Sequence, residues 1–280
     1  MQALVTSSRR RWPLDVDIQL CLVLTTHLEN LPYRFALTGD CVSTAVSAKH
    51  SDAASLVSNT IGEITRHIRT HELGPGDRLP SEAALSRQLS VSRTVVREAF
   101  SSLAAMRLID LRVGRRATVA ELDYGAMSLV IEHGVHTEQI TVQQIYDVRR
   151  TIETRTAMLA ALRRTADEVE RIRTHALAMR ENFQRPEQVM EHDLAFHLEI
   201  AKAAKNPVFS LIVGAFERVS RQTWPIGWRS RPSDAKQLEM IQIHIDLAEA
   251  IETGDPQSAR DLMARHFDES VKALLAAGIA

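Results

Sequence analysis

At 280 residues, with 45% apolar side chains and a net charge of −1, the chain has enough material for two cored domains. No run approaches the roughly 18 uninterrupted apolar residues of a membrane span, Leu20–Thr26 being too short, so no membrane partner is expected. The two cysteines, Cys21 and Cys41, both fall near the N-terminus, which excludes a disulfide framework or a thiolate metal site in the rest of the chain.

The near-zero charge conceals an asymmetry. Residues 1–52 balance, residues 53–120 carry ten arginines against six acidic groups, and residues 121–280 are net acidic. A basic segment beside an acidic one points to a polyanion-binding module joined to something that is not one. Residues 1–52 lack sustained periodicity and read as a poorly ordered extension. Arg9-Arg10-Arg11 followed by Leu20–Leu24 imitates a secretory signal, but Asp15 and Asp17 interrupt it, and a cytoplasmic chain is expected.

From Ser55 the pattern is helical, with Ile61, Ile64 and Ile68 on one face, and Gly74-Pro75-Gly76 ends that helix. Leu79-Pro80-Ser81-Glu82 opens a second helix, with Ser81 as its cap and Ala84, Leu85 and Leu89 turned inward. A third helix runs from near Ser92 to about Met106, with Val95, Val96, Ala99, Leu103 and Met106 able to face the core. Two strand-like pieces, Ile109–Arg112 and Ala117–Ala120, flank a hairpin turn at Val113-Gly114-Arg115-Arg116. Beyond Glu121 the pattern is helical throughout. Breaks near Gly134, Thr165, Pro186, Asn206-Pro207, Pro225 to Pro232 and Gly254-Asp255-Pro256 predict a bundle of about seven helices. The expected fold is therefore mainly α: a winged helix-turn-helix at 53–120 and an all-helical domain at 121–280.

Helix, short turn, second helix and wing form a shape that fits a DNA duplex, with the second helix entering the major groove. Ser92, Arg93, Thr94 and Arg97 occupy the first turns of that helix. Hydroxyls and a helix N-terminus suit phosphates there, and an arginine fork suits guanine O6 and N7. Arg115 and Arg116, beside Gly114 at the wing tip, are placed for a minor groove or for phosphate. Taken singly, each arginine is as readily a solvated helix face.

In the helical domain, Asp193 and His197 stand four apart on one helix, so both project from one face about 6 Å apart. His244 and His266 lie on the last two helices, each roughly 15–17 Å from the turn at Gly254-Asp255-Pro256. In an antiparallel hairpin they come level. One carboxylate and three imidazoles suit Zn²⁺ first, with Ni²⁺, Mn²⁺ or Fe²⁺ also compatible, and leave at least one position for water or an anion. A lone buried histidine is more often a hydrogen-bonded core residue; the level placement of four candidates favours the metal. Arg149 offers a fork for a carboxylate, or an ion pair with Glu153 one helical turn on.

The run Leu79-Pro80-Ser81-Glu82, Val91-Ser92-Arg93-Thr94, Val96-Arg97-Glu98-Ala99 and Leu108-Ile109 resembles the GntR superfamily of bacterial transcription regulators at matching spacings. Two departures stand out. Ala83 occupies the place where many relatives carry a DNA-contacting arginine, so that either Arg78 or Arg87 takes the role or the contact is absent, and the wing's Gly114-Arg115 is followed by Arg116-Ala117 rather than Gly-Thr. Arg149-Arg150, Ile152-Glu153, Asp193 to His197, Asn206-Pro207, and His244 with Ala250-Ile251 resemble the FadR-type effector (FCD) domain in its metal-binding branch. That resemblance implies a seven-helix bundle whose cavity holds a metal and a small carboxylate effector. Asn206 either bonds the effector or caps a helix, Trp224 and Trp228 line the cavity or pack a dimer, and His192 reads as a surface residue.

The resemblance implies a homodimer on a pseudo-palindromic operator, with an organic or sugar acid as inducer of a catabolic operon and repression as the expected direction. Three alternatives stand beside it. One is a regulator for which the ion itself is the signal, another is a metal-free, acyl-CoA-binding regulator, and the third is a metal-dependent hydrolase.

Overall fold

The structure is a computed structural model that describes residues 44–279, with side chains described from Ser55 onward. Residues 1–43, including Cys21, Cys41 and the signal-like stretch, lie outside the described residues.

Helix α1, Thr44–Thr70, begins within the segment read as an extension and ends where Glu72 takes a positive φ of 51°. Ser81 caps α2, Glu82–Leu89, its hydroxyl accepting from the Ala84 N–H, and Ser90 closes the helix in the left-handed conformation. Ser92 then caps α3, Arg93–Ala105, accepting from the Val95 N–H at 3.2 Å. The tight helix-turn-helix thus follows from two serine caps with the left-handed Ser90 between the helices they open. Strands β1, Ile109–Asp110, and β2, Thr118–Val119, pair antiparallel, with Gly114 at φ 72° in the turn between them. The Gly76–Leu79 segment bonds to the far side of β2: Leu79 N–H donates to Ala117 O and Val119 N–H to Asp77 O. Ile64, Leu79, Leu85, Val96, Leu103 and Ile109 form the core beneath. Met106, expected inside, is exposed because α3 ends at Ala105 and Met106 turns away as its C-cap.

The remaining described residues form helices only. They are α4 (Gly125–His136), α5 (Val142–Arg163), α6 (Ala166–Glu181), α7 (Pro186–Ala203), α8 (Pro207–Ala215), α9 (Glu217–Arg229), α10 (Asp234–Thr253) and α11 (Pro256–Ala276). Reciprocal capping boxes start α5 (Thr141 with Gln144) and α6 (Thr165 with Glu168), and proline opens α7, α8 and α11. There are eight helices where about seven were expected. The chain bends at Phe216 without a proline or glycine of its own, whereas Pro225 sits inside α9 and the break comes only after Arg229. Phe196 and Ile200 of α7, Phe267 and Met263 of α11, and Ile172 and Met179 of α6 fill the bundle's core. No described helix is long and apolar enough to cross a membrane.

Candidate metal centre and nucleic-acid interface

Because Val96, Ala99, Phe100 and Leu103 are buried on one face of α3, the opposite face is left to solvent with Arg93, Thr94 and Arg97 on it. Ser92 is exposed but its hydroxyl oxygen already caps the helix, so only its O–H remains for a phosphate. Arg97 donates to Glu82 at 3.0 Å, a surface pair of little worth that an incoming base edge can replace. Around the wing, Arg78, Arg107, Arg112, Gly114, Arg115 and Arg116 line an open hollow of about 1030 Å³. Sequence reasoning selected Arg78, Gly114, Arg115 and Arg116 from this set and overlooked Arg107 and Arg112, which only the fold of the hairpin brings beside them.

The second constellation is buried. Asp193 and His197 on α7, His244 on α10 and His266 on α11 each present one ligand atom, and these atoms all lie within 4.8 Å of one another. Helix geometry accounts for this: the i, i+4 pair shares a face of α7, and the left-handed Gly254 turns α10 back on α11 so that the two imidazole centroids stand 4.6 Å apart.

Hydrogen bonding fixes which nitrogen faces inward. A carbonyl or carboxylate oxygen only accepts, so the proton of His244 is on Nδ1, donated to Met240 O at 2.9 Å, and that of His197 is on Nδ1, donated to Glu153 Oε2 at 2.5 Å. Both Nε2 atoms therefore face the centre. They and His266 Nδ1 are buried without a hydrogen-bond partner. His244 Nε2 lies 2.9 Å from Asp193 Oδ1, close enough for an ion pair yet misaligned for a hydrogen bond. At that distance a positive charge must lie between them, either a proton on Nε2 or a metal ion, and the converging unpartnered donors fit a divalent metal. Although burial opposes ionisation, His244 and then the other two imidazoles hold the Asp193 carboxyl well below the usual carboxylate range. Burial pushes His266 down, keeping it neutral as a ligand must be. Phe196 packs edge-on against His244 and Phe267 against His266.

Glu153 is the residue whose role the sequence did not reveal. Wholly buried, it holds His197 with one oxygen and accepts from Arg149 Nε with the other at 2.8 Å, while Arg149 Nη1 donates to Ser220. Burial disfavours both charges, but each partner offsets it, so the carboxyl is lowered and the guanidinium raised. Arg149 is thus in the ion pair weighed against the effector clamp, although its side chain still reaches the cavity wall.

That cavity, with about 40 Å³ of free space, opens beside the metal cluster and is walled by Tyr146, Arg149, Ser220, Thr223, Trp224 and Arg231 among others. Trp224 and Trp228 both line it, stacked with centroids 4.9 Å apart. Arg231 was missed because it lies in the predicted Pro225 to Pro232 break, with no helical register to place it. Burial pushes its guanidinium down, against the pull of Asp193, Tyr146 and Glu269. Asn206 is a correction: its side chain caps α8, accepting from the Val208 N–H at 3.1 Å, and it is not among the cavity's lining residues. His192 is half-buried against His175, their Nδ1 atoms 3.1 Å apart, and stands outside the cluster. A separate cavity of about 180 Å³ also has Arg149 in its wall, with Tyr124, His197 and Arg221.

Two family descriptions match this chain. Residues 56–119 match "Bacterial regulatory proteins, gntR family" and residues 144–269 match the FCD domain. Among curated proteins, the chain is 30% identical over 204 residues to the HTH-type transcriptional regulator LutR of Bacillus subtilis, covering 71% of this chain and 92% of that one. It is 30% identical over 191 residues to the galactonate operon transcriptional repressor of Escherichia coli, covering 66% and 82%. It is 29% identical over 222 residues to the repressor NanR of Cronobacter sakazakii, covering 74% and 80%. A solved Streptococcus agalactiae GntR structure superimposes with a TM-score of 0.59 at 22% identity, covering 76% of this chain and 97% of that one, a likeness of fold.

Proposed function

Because the chain belongs to the GntR family of bacterial regulatory proteins, with an FCD domain, we propose that it represses a catabolic operon and releases DNA when a small carboxylate binds beside a divalent metal. Its family consists of DNA-binding transcription regulators, which removes the hydrolase alternative. In this reading Ser92, Arg93, Thr94 and Arg97 read the operator, with Arg78, Gly114 and Arg115 of the wing on the backbone. Asp193, His197, His244 and His266 hold Zn²⁺, and the cavity that includes Arg149 takes the organic or sugar acid. Repression is the chosen direction because two of the relatives named above are repressors.

The carrying observation is the set of three buried imidazole nitrogens, unpartnered and converging with a carboxylate at the wall of a cavity. When bound, the metal supplies a positive centre for one oxygen of the effector. The regulator acts as a homodimer whose two α3 helices enter successive major grooves about one DNA turn apart. Apolar side chains exposed on and before α4, Leu122, Leu129 and Val130, supply surface for a second copy.

Metal analysis of the purified chain, paired with operator binding by fluorescence anisotropy while small carboxylates are titrated, tests the proposal. The expected result is about one zinc per chain, lost in His244→Ala, and a carboxylate-dependent fall in operator affinity. Absence of a stoichiometric ion defeats the metal assignment. An operator response to zinc alone, with no carboxylate effect, moves the reading to a metal sensor.

A further inference from the structure

We propose that Arg231, rather than Arg149, is the cation that clamps the effector's carboxylate, and that the effector is a polyhydroxy acid. The inference rests on the regulator reading above and deepens it.

Two arginines wall the cavity, and they differ in what they have left to give. Arg149 is committed: Nε to Glu153 and Nη1 to Ser220, with the carboxylate balancing its charge. Arg231 makes a single side-chain bond, from Nη1 to Gly227 O at 2.6 Å, and pairs with no carboxylate among the described residues. A half-buried guanidinium with no carboxylate in ion-pair contact among the described residues, and with open N–H groups, is a preformed seat for an anion. Its position supports this. Arg231 lines the metal-side cavity and also an outer groove with Lys236, Glu239, Arg265 and Glu269, so the same cation faces both the approach from solvent and the metal. It lies on the connection between α9 and α10, residues 230–233, which must yield for a ligand of several carbons, because the present free space of about 40 Å³ holds little more than a water.

The neutral wall specifies the rest of the ligand. Each hydroxyl has one proton, and in Thr223 and Ser220 it is directed at the helix: Thr223 Oγ1 to Val219 O and Ser220 Oγ to Phe216 O, both at 2.9 Å. Tyr146 Oη, 3.2 Å from Thr223 Oγ1, must then be the donor of that pair. What these side chains turn to the cavity is accepting oxygen, which repels a carboxylate and attracts hydroxyl donors. Stacked on Trp228, the Trp224 indole adds an apolar face suited to a carbon chain. A carboxylate at Arg231 and the metal, followed by a hydroxylated chain along Tyr146 and Thr223, satisfies every wall.

The test uses zinc-loaded, full-length protein and four probes: the aldonates gluconate and galactonate, hexanoate as a carboxylate without hydroxyls, and sorbitol as hydroxyls without a carboxylate. Calorimetric titration should show binding of at least one aldonate and none of the two controls at equal concentration. Arg231→Gln should weaken aldonate binding about tenfold or more with zinc content retained, and Arg231→Lys should recover part of it, as a charge without the fork. An aldonate affinity within about twofold of wild type in Arg231→Gln, in protein whose operator binding still responds to that aldonate, overturns the inference alone. Hexanoate binding as tightly as the aldonates overturns the polyhydroxy assignment. A zinc-loaded wild type that responds to neither aldonate overturns the inference alone, whereas a wild type that holds no zinc overturns it together with the reading beneath it.

Discussion

Glu153→Gln separates the buried ion pair from the metal it helps to position. The glutamine keeps the volume but has one acceptor oxygen for two donors, Arg149 Nε at 2.8 Å and His197 Nδ1 at 2.5 Å, so one of them goes unsatisfied. It also leaves the buried guanidinium of Arg149 without its counter-charge. Breaking a buried pair by removing one partner costs about 3–5 kcal/mol. The retained carbonyl places this case at the lower end, about 3 kcal/mol, which lowers a melting temperature by about 6–12 °C for a domain of this size. Measuring the melt in EDTA isolates this loss from metal binding. Zinc affinity, read separately by competition with a chromophoric chelator, should fall about 10–100-fold, since His197 loses the acceptor that fixes its ring. A melt in EDTA within about 2 °C of wild type refutes the charge-balance argument. An unchanged zinc affinity refutes the orienting role of Glu153, whatever the melt shows.

At the DNA end, Arg93→Ala and Arg97→Ala should each cost about 1–3 kcal/mol of specific operator binding, with losses uneven across operator variants; equal affinities for all of them exclude base reading by α3. Gly214→Ala drives a methyl into the Tyr124 ring, so the ring must move or the helices part, and chemical denaturation should register about 1–3 kcal/mol lost; an unchanged midpoint means the ring yields freely. Glu168 accepts from Lys205 Nζ at 2.6 Å and the Thr165 N–H at 2.8 Å, which together outweigh burial and lower its pKa beneath the ordinary 4.5. Its contribution is therefore full above the unfolded-state value and lost as pH falls through the lower folded one. Glu168→Gln keeps the cap but should flatten that acid limb of the urea midpoint, and an identical limb in both proteins removes Glu168 as a contributor.

How much was legible depends on the distance over which a pattern acts. The caps Ser81 and Ser92, the turn at Gly114 and the inward face of α3 follow from local rules, because their partners lie within four residues. Asp193 and His197 are equally local. His244 and His266 were reachable because a two-helix hairpin with a marked turn leaves one register, which the rise per residue then fixes. Glu153 on His197 crosses from α5 to α7, and no spacing encodes that approach. Arg231 lies in a connection, where neither period applies. The bend at Phe216 carries no breaker of its own, while Pro225 stays helical, so proline counting shifted one boundary and lost one helix. Asn206 shows the reverse error: an implied ligand role yields to the local cap that Asn before Pro already explains.

The two arginines also assign different tasks to similar chemistry. Arg149 with Glu153 is neutral as a pair, so it shapes the site without adding charge to the cavity. The cavity's own account is then the Asp193 carboxylate against the Arg231 guanidinium, which cancel when the imidazoles are neutral. A divalent ion at the cluster leaves the cavity with two net positive charges in a low-dielectric setting, where an anion is strongly favoured. Without the ion the cavity is neutral overall, and the same anion meets no net attraction. Effector binding should accordingly depend on metal far more steeply than fold stability does. Aldonate affinity measured in EDTA and in zinc should differ by at least about tenfold, while Arg231→Gln weakens binding in zinc. Equal aldonate affinity with and without metal would show that the guanidinium alone holds the carboxylate and that the ion serves the bundle rather than the ligand.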